Sequence, residues 1–235
     1  MKKLVFAIVF TFCIVSTQSF AQIDLRTTAQ SPSVFANEVG TLIWFNPVEI
    51  AEGYGMFGLS ASVSITSADI DRGNWVNFAD FDPGSTMYIT SFTLRKGLTE
   101  RLSVGFRFSD YSDLNANSWG LEAKYVFLKG SAIIPAVSGR VSYSKLTGSD
   151  LVDANVMSAG IMVSKGFLNF TPYCGVSFIR SDIDVYASEW QFSETSTDTQ
   201  LYAGVRITFI PFVAITGEVV KGEITKYTVK AGIRF

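Results

Sequence analysis

Nine charged residues recur at alternate positions inside otherwise uncharged segments: Arg95, Arg107, Glu122, Lys124, Arg140, Arg206, Glu218, Lys230 and Arg234. Each stands opposite a row of Leu, Val, Ile, Ala or Phe in its own segment, so all belong to one polar face. Seven are cations and two are acids. Two chemistries suit such a set. Glu122 and Glu218 can each bridge several arginines across neighbouring strands, satisfying charges that could not be buried alone. Alternatively, the cations can line a narrow passage as a ladder that favours anions. A second set is acidic and aromatic. Asp69, Asp71, Trp75, Asp80, Asp82, Tyr186 and Trp190 fall in two long polar stretches, where carboxylates keep loops solvated or attract cations and exposed aromatics form contacts.

Other chemistries lack their residues. The 235-residue chain has no His, so a Ser-His-Asp arrangement is impossible, and the commonest metal ligand is missing. Asp80 and Asp82 are spaced as an acid/base pair, although neighbouring loop aspartates are ordinarily just solvated. Asp69-Ile70-Asp71-Arg72-Gly73-Asn74 lacks the third spaced acid and the distal Glu of a calcium loop. Two cysteines cannot make a four-thiolate zinc site. A net charge of -2 argues against nucleic-acid binding. No metal, cofactor or catalytic role is expected. Tyr173 reads as inward and Cys174 as outward, facing lipid or a neighbour, an inert thiol rather than a reactive one.

The elements that position these residues are strands. In 57–66, Phe57, Leu59, Ala61, Val63 and Ile65 oppose Gly58, Ser60, Ser62, Ser64 and Thr66. The same two-residue period runs through 102–109, 119–128, 200–209 and 227–235, and more weakly through 86–96, 136–146, 155–165, 170–180 and 213–220. Ten segments of this length match strands that cross a bilayer at a tilt. A soluble sandwich also alternates, but its polar face meets water and carries many Lys and Glu. Here that face is Ser, Gly and Thr with isolated charges, which suits a narrow closed lumen filled by side chains. Tyr88, Trp119, Tyr143 and Phe209 near segment ends fit interfacial girdles. Closure is required as well, because an open sheet edge in hydrocarbon leaves backbone groups unpaired. No helical period is visible after residue 55.

Connection lengths point the same way. Links at 67–85, 110–117, 147–155, 181–198 and 221–226 read as long and acidic, with Lys221 and Lys226 among their few cations. Links at 97–101, 129–135, 166–169 and 210–212 read as short, the pattern of extracellular loops and periplasmic turns. Residues 1–21 carry Lys2 and Lys3, an apolar run from Leu4 to Val15 and Ser19-Phe20-Ala21, the pattern of a cleaved secretory signal. Residues 22–55 break the strand pattern. Pro47 is poorly placed inside a closed sheet, so Val39–Gly53 reads as a periplasmic segment or lumen plug, with an additional hairpin as the alternative.

The terminal Tyr227-Thr-Val-Lys-Ala-Gly-Ile-Arg-Phe235 resembles the C-terminal strand of Gram-negative outer-membrane β-barrels. That resemblance implies recognition by the barrel-assembly machinery through Tyr227, Val229, Ala231, Ile233 and Phe235. Lys96–Phe106, Lys165–Phe167 and Thr171–Val176 are similar to uncharacterised barrels distantly akin to fatty-acid-transporter-like and porin-like proteins. The enzymatic barrels of this class rely on His. The expectation is therefore an all-β, transmembrane, antiparallel up-and-down barrel at 56–235, of about ten strands (alternatively 12 or 8), capped or plugged by 22–55. It would lie in the cell outer membrane among outer-membrane lipid, without nucleic acid. Its expected role is structural or passive passage of small solutes, with loop-mediated binding of a surface ligand as the alternative.

Overall fold

The computed structural model describes residues 32–79, 82, 84–131, 133–149, 152–186 and 191–235. The signal pattern at 1–21 lies outside them. Ten antiparallel strands close on themselves in sequence order: β1 (Leu59–Asp69), β2 (Thr86–Gly97), β3 (Leu102–Tyr111), β4 (Ala116–Leu128), β5 (Ala136–Thr147), β6 (Val152–Ser164), β7 (Phe170–Tyr186), β8 (Gln191–Ile210), β9 (Val213–Lys221) and β10 (Thr225–Arg234). The seam joins β1 to β10 from Ser60↔Arg234 to Asp69↔Thr225. Beyond it, Leu59 and Phe235 exchange backbone hydrogen bonds of 3.0 and 2.8 Å.

The alternation decides what each face meets. Val63, Phe92, Val104, Phe106, Leu121, Val141, Ile161 and Val229 all point outward and are exposed. Such a continuous apolar surface is tolerable only in hydrocarbon or against a partner. Aromatic pairs edge this belt, Trp119 with Tyr143 at 5.6 Å toward one rim and Phe212 stacked on Phe235 at 5.8 Å toward the other. Beyond Tyr143, Met157 and Phe178 the outward positions turn polar, with Asp153, Asp182, Asp184, Ser193 and Thr195 following on β6, β7 and β8.

The inward face changes in the opposite sense. Within the belt it carries Ser62, Ser64, Thr93, Ser109, Ser142 and the charges; beyond it, Met87, Ile89, Tyr111, Leu146, Val156 and Ile183 are buried together. The strands therefore enclose a polar interior where their outside is greasy and an apolar interior where their outside is wet. At that distal end the barrel is built like a water-soluble one, driven by burial of apolar area.

The interior is filled by the N-terminal segment. Helix α1 (Pro32–Ile43) buries Phe35, Val39, Leu42 and Ile43 in the distal apolar core. An extended strap from Trp44 to Tyr54 then descends through the polar bore with Trp44, Phe45, Val48, Ile50 and Ala51 buried. No additional hairpin forms from Val39–Gly53. The strap runs close to the wall near the turn at 98–101: a Cβ on Gly97 would lie 1.7 Å from the Gly55 carbonyl oxygen, and one on Gly53 would lie 2.7 Å from that of Glu100. Only glycine fits at such approaches.

Two sequence expectations fail here. The linker 70–85 contains a second short helix, α2 (Arg72–Ala79), although no helical period is visible there. Its eight residues are too few for a period to emerge, and burial of Trp75 against Phe35 holds it (ring centroids 5.2 Å apart). Loop lengths are also not strictly long and short. β7 runs to Tyr186 and β8 resumes at Gln191, so most of 181–198 is strand. The stretches near 110, 147 and 221 likewise hold strand residues, leaving 70–85 as the long connection. The polar composition that reads as loop marks strands continuing past the belt into water.

Candidate functional site

The bore between strap and wall holds every concentration of charge that the alternation places inside. Arg95 on β2, Arg107 on β3, Lys124 on β4, Arg140 on β5, and Lys226 and Lys230 on β10 are buried, as are the wall acids Glu122 and Glu218 and the plug acids Glu38 and Glu49. Arg206 and Arg234 are half-buried near the terminal end. These side chains interact with one another in one layer and with the plug in another.

The wall layer centres on Glu122. Its Oε1 accepts Arg95 Nε at 3.0 Å and its Oε2 accepts Arg140 Nε at 2.9 Å, with a further bond from Arg140 Nη2. One carboxylate thus spans strands on both sides of β4. Glu218 does not act this way. It accepts from Asn46 Nδ2 (2.9 Å), Val48 N (2.8 Å) and Tyr173 Oη (2.9 Å). Among the described residues no cation lies within salt-bridge distance of it, contrary to the expectation of a second arginine bridge. The bond to Val48 N secures a β-branched residue at φ +42°, a left-handed conformation that costs of order 1–3 kcal/mol.

The third carboxylate comes from the strap, where no pattern announces it. Glu49 meets Lys230 at 3.0 Å, Arg206 at 3.3 Å and Arg95 at 3.9 Å, and accepts Tyr54 Oη at 2.6 Å.

The remaining contacts address the plug's main chain. Lys226 Nζ donates to Thr41 O (2.6 Å), Arg140 Nη2 to Phe45 O (2.7 Å), Arg107 Nη2 to Asn46 O (2.9 Å) and Arg95 Nη2 to Pro47 O (2.8 Å). Lys124 Nζ donates to both Ile50 O (3.0 Å) and Glu52 O (2.8 Å), and Arg234 to Gly53 O. Buried cations thus hold main-chain carbonyls from Thr41 to Glu52, and the half-buried Arg234 holds that of Gly53. Aromatic faces complete their surroundings: Phe45 lies 4.1 Å under Arg107 and Trp44 5.2 Å from Lys226. Lys226, expected in a loop, is a buried bore residue because β10 begins at Thr225, two residues before the expected segment.

The distal loop residues behave differently. Asp71 turns the chain into α2, its Oδ1 accepting Gly73 N at 2.8 Å while its own N–H donates to Glu38 Oε1 at 2.7 Å. Asn74 Nδ2 reaches the other Glu38 oxygen at 3.2 Å. Burial pushes the Glu38 carboxyl up to about 7, against these hydrogen bonds, which favour ionisation. Asp82 is paired with Arg72, which holds its carboxyl below the usual range. Asp69 is exposed and Tyr186 is 46% exposed. Trp75, expected as a surface contact, is 1% exposed, because it closes the core over α1. Asp80 and Trp190 lie outside the described residues. Tyr227, Val229, Ala231, Ile233 and Phe235 all point outward. Tyr173 points inward and is buried, and Cys174 is half-buried beside it.

No family model and no curated sequence matches the chain. Among solved structures it is similar to the N-terminal β-barrel domain of Pseudomonas aeruginosa OprF, with 13% identity over 77% of this chain and 99% of that one and a TM-score of 0.38. Ail, the attachment invasion locus protein of Yersinia pestis, gives 12% identity over 77% and 100%, with a TM-score of 0.38. The outer membrane protease OmpT of Escherichia coli gives 9% identity over 76% and 96%, with a TM-score of 0.42. These neighbours are outer-membrane β-barrels, and the chain is itself a closed ten-strand barrel.

Proposed function

We propose that this chain is a β-barrel of the Gram-negative outer membrane, shut along its length by its own N-terminal segment, and that its resting role is structural rather than that of an open pore. The observation that carries this reading is the row of wall cations bonded to the main chain of 41–53, with Phe35, Val39, Trp44, Phe45 and Ala51 buried around it. A passage for solutes would have to run where that backbone lies. The apolar belt supports membrane embedding, and the outward Tyr227–Phe235 row supports delivery by the barrel-assembly machinery.

The test is conductance of the refolded protein in a planar bilayer. The expected result is silence at moderate voltage, from a sample whose gel mobility shifts on heating as a closed barrel's does. Discrete steps from the unmodified protein would overturn the sealed reading.

Binding at the cell surface is the second reading, favoured by one feature. β7 and β8 stay paired out to Tyr186↔Gln191, well beyond the last β8–β9 pair at Leu201↔Lys221, while β6 follows β7 to Val152↔Val185, so the hairpin extends past β9 and leaves the upper edge of β8 uncovered. Truncating it should abolish cell attachment if the hairpin carries it.

A further inference from the structure

Four candidates outside the sealed resting role stand out: the acidic exterior of β6–β8, the free upper edge of β8, the Glu38 contact between the two helices, and the charge left in the bore when the plug is subtracted. The last is carried furthest by geometry. Buried wall residues contribute six cations and two acids. One of those acids, Glu122, is engaged by Arg95 and Arg140, and the other, Glu218, is satisfied by uncharged donors. Arg107, Lys124 and Lys226 have no carboxylate within salt-bridge distance among the described residues. What they have instead is plug: carbonyl oxygens of Asn46, Ile50, Glu52 and Thr41. Lys230 and Arg206 are balanced by Glu49, which also belongs to the plug.

We infer that the plug is a tethered stand-in for anions, and that the bore it vacates is an anion-selective path. The inference rests on the sealed reading above. Carbonyl dipoles and one carboxylate occupy positions where a mobile anion would be stabilised. A cation entering the same space would meet a wall with a surplus of positive charge and little to offset it. The contacts follow the plug from Thr41 at the end of α1 to Gly53 in the strap, so the path has successive anion sites rather than one trap, as conduction requires. Main-chain carbonyls are weaker partners than carboxylates, so this occupant holds the bore without matching the affinity of a fully ionic one.

The experiment uses the full chain with Cys13→Ser, Cys174→Ser and Ala51→Cys, which leaves the introduced thiol as the sole cysteine. Ala51 is fully buried in the strap, so a membrane-impermeant thiol reagent reports its release. Urea is added on the plug's entry side at concentrations that leave the barrel heat-modifiable, and reversal potential is read across a KCl gradient. The expected result is thiol labelling accompanied by current steps whose reversal potential has the sign of chloride preference. Arg107→Gln with Lys124→Gln, which spares the Glu122 bridge, should move that potential toward zero, and Glu49→Gln should lower the urea needed. Labelling with potassium-preferring or unselective steps, labelling without steps, or no labelling up to barrel unfolding would each overturn the proposal. Steps before any urea would overturn the sealed reading instead, and their ion preference would still test this one.

Discussion

Replacing Glu122 by Gln isolates the charge on which the wall layer depends. The substitution keeps the shape and one carbonyl acceptor. It removes the charge shared by Arg95 Nε at 3.0 Å and Arg140 Nε at 2.9 Å, and it turns an amide NH2 toward one of two buried guanidiniums. Each lost charge-assisted bond is worth about 1.5–3 kcal/mol. Leaving a buried charge without its partner costs about 3–5 kcal/mol, and we expect a loss in that range. At a urea slope of about 2 kcal/mol/M, the unfolding midpoint should fall by roughly 2 M. The assay is equilibrium urea unfolding in lipid vesicles, followed by tryptophan fluorescence, since Trp44 and Trp75 are buried. Glu218→Gln is the internal contrast. Glu218 accepts from an amide, a backbone N–H and a phenol, so its loss should be only about 1–2 kcal/mol. Equal shifts for the two variants, or a Glu122→Gln shift below about 0.5 M at that slope, would refute the assignment of the wall layer as an ionic bridge.

Val104→Arg places a charge in the outward belt and should destabilise by about 2–4 kcal/mol near the bilayer midplane; a negligible midpoint change would place Val104 away from lipid. Trp75→Ala should cost about 3–5 kcal/mol, read as faster hydrogen exchange across 70–85 and α1, since it removes the ring packed on Phe35. The Glu38 carboxyl, raised by burial to about 7, binds a proton more tightly folded than unfolded. Its contribution is fully present below the ordinary carboxylate range and is lost as pH rises through 7. The midpoint of the native protein relative to Glu38→Gln should therefore fall between pH 5 and 8, and parallel pH curves would exclude the mechanism.

Much of this architecture is legible in the chain because its determinant is local. Phe57–Thr66 or Leu102–Ser109 declares two faces within ten residues, and ten such stretches in a closed sheet leave little freedom. Arg95, Arg107, Glu122, Lys124 and Arg140 could be placed inside on that ground alone. Their partners could not. Glu49 and the carbonyls of 41–53 lie in a segment with no period, and what they touch is set by the path of the strap, a tertiary fact. Trp75 looks like a surface aromatic because its neighbours are polar, and only the arrival of α1 beneath it buries it. The polar ends of β6, β7 and β8 look like loops because the pattern of greasy outside and polar inside inverts where the strands leave the belt. The two-residue period itself continues back toward Gln191 in β8 with its sign changed.

The seam between β1 and β10 has a consequence for biogenesis. The staves that meet there come from opposite ends of the chain, so the cylinder cannot close until the C-terminal residues have been made. Residues 32–54 are made before either stave is paired across the seam, and the short link from Tyr54 to Leu59 keeps them tethered at the mouth where β1 begins. Pairings between such distant residues are slow to form. An insertion catalyst would therefore have to hold the first stave unpaired until the last has been made, with the tethered filling beside the gap.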